Sequence, residues 1–299
     1  QGSSYVGVKE EFISRTPLPL TDCTVGKDGA LYFLIGGRGG QSELFRCTYV
    51  GSESTAPVEY KDARNADLRA LRHKIEEYHV GTHDPAKAAE FLVPHLNHSD
   101  RFIQYAARVA LERLPVESWQ GQIFAAADKI APLANVENKK TQQAKVQQMI
   151  IAGCVGLARQ GERDLLPKVL TALGALYWEN LSVGADGARS VVAVDNQLAL
   201  LRAYQLAFIR LGNPSPEMCE RLAKKFDDLF PQKSDLVNRE LAILMVHFQS
   251  PGAAKKLVPY LAKERVASQE SLGALLERNK GYGGTIAAML ANQPDQLQY

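Results

Sequence analysis

A chain of 299 residues with 45% hydrophobic and 23% charged side chains sits at globular averages. That excludes a disordered, collagen-like or low-complexity polypeptide and leaves room for one small unit beside one elongated unit. Thirty-five basic against thirty-three acidic residues leave a net charge of +2, so the chain as a whole lacks the electrostatic footprint of a nucleic-acid or anionic-membrane binder.

The opening Gln1-Gly2-Ser3-Ser4 has neither a basic nor an apolar leader region. It fits either a cytoplasmic protein or a mature stretch whose signal and earlier domains precede Gln1. Residues 5 to 51 then read as β. Val6 to Phe12 forms a first candidate strand, and Pro17-Leu18-Pro19 interrupts the chain before the next. Asp28-Gly29 lies between Asp22–Val25 and Ala30–Ile35, a hairpin signal because both turn residues tolerate positive φ. The run Gly36-Gly37-Arg38-Gly39-Gly40 supplies the following turn, and Leu44–Val50 alternates as another strand of the meander. So few strands cannot bury both faces of a sheet, and this piece is expected to pack on something else.

Residues 52–65, with Ser52, Ser54, Thr55 and Pro57, read as a linker. From about Ala66 the apolar period becomes helical. Ile103, Ala106, Ala107, Ala110, Leu111 and Leu114 form one face, as do Val146, Met149, Ile150, Cys154 and Leu157. Further stripes run through Leu200, Ala203, Tyr204, Ala207, Phe208 and Leu211, and through Val237, Leu241, Leu244, Met245 and Phe248. Asp84-Pro85, Leu114-Pro115, Asp164, Ser215-Pro216 and Ser250-Pro251 mark helix starts. Their spacing of roughly 30 to 50 residues brackets that of HEAT and armadillo units without a strict repeat. Gly184-Ala185-Asp186-Gly187 is the expected irregular insertion. The longest apolar runs, such as Ile243 to Phe248, fall far short of the roughly 20 residues of a membrane span.

Two stretches carry a resemblance. Pro17 to Asp22, Gly26 to Phe33 and Gly36-Gly37-Arg38 through Tyr49-Val50-Gly51 resemble the closing blade of sorbosone/glucose-dehydrogenase-like propellers. His83-Asp84-Pro85 through Pro94 to Arg108 is similar to the first HEAT unit after that propeller in large secreted bacterial proteins of the membrane-bound-dehydrogenase or haem-binding type. In those a c-type cytochrome domain follows. Asn238-Arg239-Glu240-Leu241 and Asn279 to Gly284 are weaker echoes. The resemblance implies a β-meander over 1–51 that is the last blade of a β-propeller, and a mainly α, HEAT-like solenoid over 66–299. It also implies export to the periplasm or beyond, and a parent protein that oxidises a sugar-like substrate and passes electrons to haem. Most of the propeller, where quinone and substrate would bind, is expected to precede Gln1, and the ending at Gln296-Leu297-Gln298-Tyr299, without a polar cap, suits a truncated solenoid.

The chemistry-bearing residues assemble no complete site. His79, His83, His95 and His98 fall within twenty residues, a conceivable metal set. A helix end expected at Gly81 divides the first two, and no His-Glu-x-x-His pattern is present, so structural or surface roles are the alternative. Gly36 to Gly40 could cradle a phosphate, but a strand rather than a helix follows, which favours a blade turn in which Arg38 could face a ligand only in an intact propeller. Cys23, Cys47, Cys154 and Cys219 form no Cys-x-x-Cys pair, which excludes zinc-ribbon, thioredoxin-like and covalent-haem motifs. A Cys23–Cys47 bridge would need an exported protein, and in a simple meander their strands flank a third. Cys154 and Cys219 read as structural thiols, Trp119 and Trp178 as packing residues, and Glu76-Glu77 and Asp227-Asp228 as solvated helix faces. No catalytic, cofactor-binding or metal residue is therefore assigned. The expected role is a scaffold that binds protein, either its own propeller and cytochrome domains or another chain. The rival expectation is a segment completing a quinone-dependent sugar dehydrogenase.

Overall fold

The structure, a computed structural model, describes residues 2–5, 7, 8, 10–15, 18–37, 40–54, 56, 63–130, 140–176, 178 and 191–261. They divide into two compact units, one of residues 2–5 and 65–261 and the other drawn from 7–64. The chain is mainly helical, with a small antiparallel sheet near its N-terminal end.

In the smaller unit β1 (Leu20–Val25), β2 (Leu31–Gly37) and β3 (Gly40–Cys47) pair in the order β1-β2-β3. Cys23 faces Phe33, and Phe33 faces Phe45. The two rings stack with centroids 4.9 Å apart. The turn into β2 is closed by the Gly29 amide donating to the Gly26 carbonyl at 3.0 Å. Positive φ is confined to Gly29, at 76°, rather than shared with Asp28. Asp28 instead accepts from Tyr32 Oη and from two nitrogens of Arg46, a cross-strand pair that pins the hairpin tip.

Two expectations are corrected here. Residues 7, 8 and 10–12 belong to no strand. Among the described residues their backbone has no ladder to join, and Val8 and Phe12 stay exposed. The last strand lies earlier than Leu44–Val50, because Cys47 already pairs with Leu31, the first residue of β2, and among the described residues Thr48 to Val50 have no partner strand beyond it.

The helical unit runs α1 (Ala66–Glu76), α2 (Pro85–Leu92), α3 (Arg101–Leu111), α4 (Gln120–Ile130), α5 (Lys140–Gln160), α6 (Leu166–Gly174), α7 (Val191–Leu211), α8 (Pro216–Leu229), α9 (Asp235–His247) and α10 (Ala253–Leu261). Local chemistry fixes several starts. Asp84 accepts from the Ala86 and Lys87 amides at 3.0 Å, with Pro85 in the first turn. Asp100 caps α3 by accepting from the Phe102 and Ile103 amides, and Ser215 caps α8 by accepting from that of Met218. Each such cap is worth about 1 kcal/mol.

The apolar stripes meet facing stripes. Helix α1 packs on α3, α3 on α5, α5 on α7 and α7 on α9, while α2, α4, α6 and α8 pack on their odd-numbered neighbours. Two glycines let α4 approach closely. A Cβ at Gly153 would stand 2.6 Å from Ile123 Cδ1, and one at Gly156 3.0 Å from Trp119 Cη2. Trp119 is thereby 1% exposed. Between α8 and α9 the Asn238 amide folds back on the chain. Its Oδ1 accepts from the Gln232 amide at 2.7 Å, and its Nδ2 donates to the Gln232 carbonyl at 2.9 Å. Residues 184–187 and 279–284 lie outside the described residues.

Candidate functional site

The odd-numbered helices carry a continuous outer face of polar cross-links. On α3, Arg108 donates to Glu112, and its guanidinium lies 5.1 Å from the Tyr105 ring centroid. Arg159 on α5 donates to the other Glu112 oxygen at 2.8 Å. Arg210 on α7 reaches the Arg159 carbonyl at 3.3 Å, near the C-terminal end of α5 where carbonyls lack helical partners. Further along, Glu240 on α9 accepts from Gln205 at 2.8 Å and Arg202 at 3.5 Å, both on α7.

The side chain of Glu112 is only 8% exposed, that of Arg159 50%. The Glu112 and Glu240 carboxylates therefore lie beneath the Arg159 and Arg202 guanidiniums, which face outward, whereas the Arg108 side chain is largely covered. Helical spacing places Ile209 four residues from Gln205, and Leu236 and Ile243 within four of Glu240, on this same face. All three are exposed, as is Tyr105. The face thus combines exposed arginine, one aromatic ring and isolated aliphatics over polar rungs.

The histidines do not converge. His79 Nε2–H donates to the Ala106 carbonyl at 2.9 Å, and His83 Nε2–H is shared between the Glu77 and Val80 carbonyls. His98 Nδ1 accepts the Asp100 amide at 3.0 Å. His95 rests edge-on against Phe91, with its centroid 6.4 Å from that of His98. Burial, reinforced by His98, pushes His95 below the usual imidazole range and so favours its neutral form. Among the described residues no three His, Cys, Asp or Glu side chains are grouped to hold a metal ion.

The glycine run joins two strands, with Gly37 paired to Gly40 and φ of 149° and 103° at Gly36 and Gly37. No helix follows it, and Arg38 lies outside the described residues. Cys154 is buried, and burial pushes its thiol up to about 12, which leaves it a packing group at neutral pH. Cys219 donates weakly to the Pro214 carbonyl at 3.6 Å. Cys23 and Cys47 are free thiols on strands that flank β2. Two strand spacings of about 4.8 Å exceed the Cα reach of a disulfide. Trp178, half-buried, donates to Gln232 Oε1 at 3.1 Å.

The carboxylates expected on solvated faces are not all solvated. Asp227 is bound by Lys256 Nζ at 2.9 Å, with its side chain 20% exposed and its Oδ1 buried with no partner among the described residues. Glu76 accepts from Arg72 at 2.6 Å and from His73 at 3.1 Å. Both sit at helix–helix or i,i+4 junctions, where neighbouring basic side chains cover them.

Two clusters have no sequence signature. Lys225 on α8 donates to Tyr204 Oη on α7 at 3.1 Å, and burial lowers its pKa. Ser3 is 2% exposed, and its amide and hydroxyl both donate to Asp100, which lies 97 residues away. Comparison of the chain with protein-family models, with curated proteins and with solved structures gives no match.

Proposed function

We propose that the chain is a protein-binding scaffold segment, with its helices stacked as a degenerate HEAT-like solenoid and its sheet the last blade of a propeller. The observation that carries this reading is the outer face of α3, α5, α7 and α9. Cross-links from Glu112 and Glu240 hold the helices in register, while Tyr105, Arg159, Arg202, Ile209 and Ile243 stand outward. The neighbour-to-neighbour packing of successive helices supports the repeat reading, since solenoids bury their core between adjacent units and present a long face for binding. The partner such a face suits is a protein surface with carboxylates for the outward guanidiniums and apolar contact for the aliphatics between them.

In the parent protein suggested by the propeller and HEAT resemblance, this face docks a haem-bearing domain in an exported oxidoreductase that acts on a sugar-like substrate. The test is isolation from the native source, with intact mass, visible spectrum and cross-linking. A polypeptide larger than 32.8 kDa with a Soret band, cross-linked through the α5 and α7 arginine face, upholds the reading. A colourless 32.8 kDa protein with no cross-linked neighbour on that face overturns it.

A further inference from the structure

Residues 2–5 lie against the helices as a short ligand would. Asp100 Oδ1 accepts from the Ser3 hydroxyl at 2.9 Å, and its Oδ2 accepts from the Ser3 amide. Arg72 Nη1 donates to the Ser3 carbonyl at 3.3 Å. Both recognising side chains are held by partners of their own. Asp100 caps α3 by accepting from the Phe102 and Ile103 amides at 2.8 and 3.3 Å. Arg72 is fixed by Glu76 at 2.6 Å and lies 5.8 Å over the Phe102 ring. A groove fixed in this way keeps its shape when the occupant leaves.

The groove is also selective. At the position of Gly2 the backbone has φ of 62°, and a Cβ there would stand 2.2 Å from Asp100 Oδ2, so only glycine fits. Ser3 is enclosed, at 2% exposure, so a larger side chain there would have to displace its neighbours. Two residues on, the Tyr5 ring lies 5.3 Å beneath the Arg69 guanidinium.

We propose that the groove between α1 and the first turn of α3 is a peptide-binding site for a Gly-Ser turn followed two residues later by an aromatic, and that residues 2–5 are its resident occupant. The proposal goes beyond the outer face of α3 to α9 and stands independently of it.

The test uses the full chain. Ser3→Pro withdraws both donors, which opens the groove to a fluorescein-labelled Gly-Ser-Ser-Tyr peptide, while the unmodified chain binds that peptide at least tenfold more weakly because its own segment competes. The same peptide with alanine for glycine does not bind. Asp100→Ser added to Ser3→Pro abolishes binding although serine still caps α3, as an unchanged helical circular dichroism signal checks. Independently, in the single variant Asp100→Ser the Ser3 amide exchanges its hydrogen about tenfold faster than in the unmodified chain, the factor expected for one charge-assisted bond, while amides from Gln104 onward keep their rates. Equal peptide binding by the unmodified and Ser3→Pro chains, no binding by Ser3→Pro up to about 1 mM, or an unprotected Ser3 amide in the unmodified chain overturns the proposal.

Discussion

In the helical unit each apolar stripe finds a facing stripe, so that Ile103, Ala107, Leu157 and Tyr204 are sealed from water. In the sheet the cross-strand pair Leu34 and Leu44 stays 44% and 66% exposed, while Phe33 and Ile35 are buried. The helices therefore draw stability from burial between layers, at roughly 25 cal/mol per Å² of apolar surface. The sheet relies more on its backbone ladder, one aromatic stack and the Asp28–Tyr32–Arg46 cluster at its tip. The same substitution, large to small at an apolar position, should accordingly weigh differently in the two units.

The largest effect is expected at Trp119, where truncation to alanine empties a fully buried site against Gly156. Loss of about 3–5 kcal/mol in chemical denaturation of the helical signal is the expected outcome, and a loss below about 1 kcal/mol would mean that α4 and α5 are not packed as described. Phe45→Ala in the sheet should remove the stacking on Phe33, the Arg15 contact and the burial of a partly exposed ring, about 2 kcal/mol. Its signature is faster amide exchange across β2 and β3 with the helical transition unmoved, whereas Leu44→Thr, at an already exposed position, should change neither by more than about 0.5 kcal/mol.

The smallest effect is electrostatic. Arg46, and then Tyr32, hold the exposed Asp28 carboxyl down to about 2 from the ordinary 3.8. A carboxyl held down in the fold contributes fully above its ordinary range, and that contribution is withdrawn as pH falls from about 4 through about 2. The Asp28 carboxyl resonance should titrate near the lower value and return toward the ordinary one in Arg46→Gln. An ordinary titration in the unmodified chain would remove the cluster from the comparison.

Legibility in the amino-acid sequence follows the same division. The α3 stripe is legible because five of its six apolar positions repeat at helical spacing and are buried in α3 itself, and Asp84-Pro85 and Ser215-Pro216 announce helix starts by chemistry local to a single turn. Gly29 announces its turn for the same reason, although the positive φ belongs to that residue alone. Val6–Phe12 misleads because a short run with strand-forming residues before a proline break shows that a segment could join a sheet but not whether another strand lies alongside. The Ser3–Asp100 contact, the Glu112 and Glu240 rungs and the Lys225–Tyr204 pair are silent because each joins polar residues from separate elements, and polar partners leave no periodic trace. Gly153 and Gly156 look like weak helix positions and matter instead for what they allow Trp119 and Ile123 to occupy.

The Asn238 side chain offers a consequence of another kind. By both accepting from and donating to Gln232, its amide stands in for the backbone of an absent strand, and only a group with an acceptor and a donor side by side can do so. The substitution Asn238→Asp exchanges one nitrogen for one oxygen with almost no change in shape. At this position it would set a carboxylate oxygen against the Gln232 carbonyl in a site 1% exposed to water, so the turn between α8 and α9 tells apart two side chains that differ by a single atom.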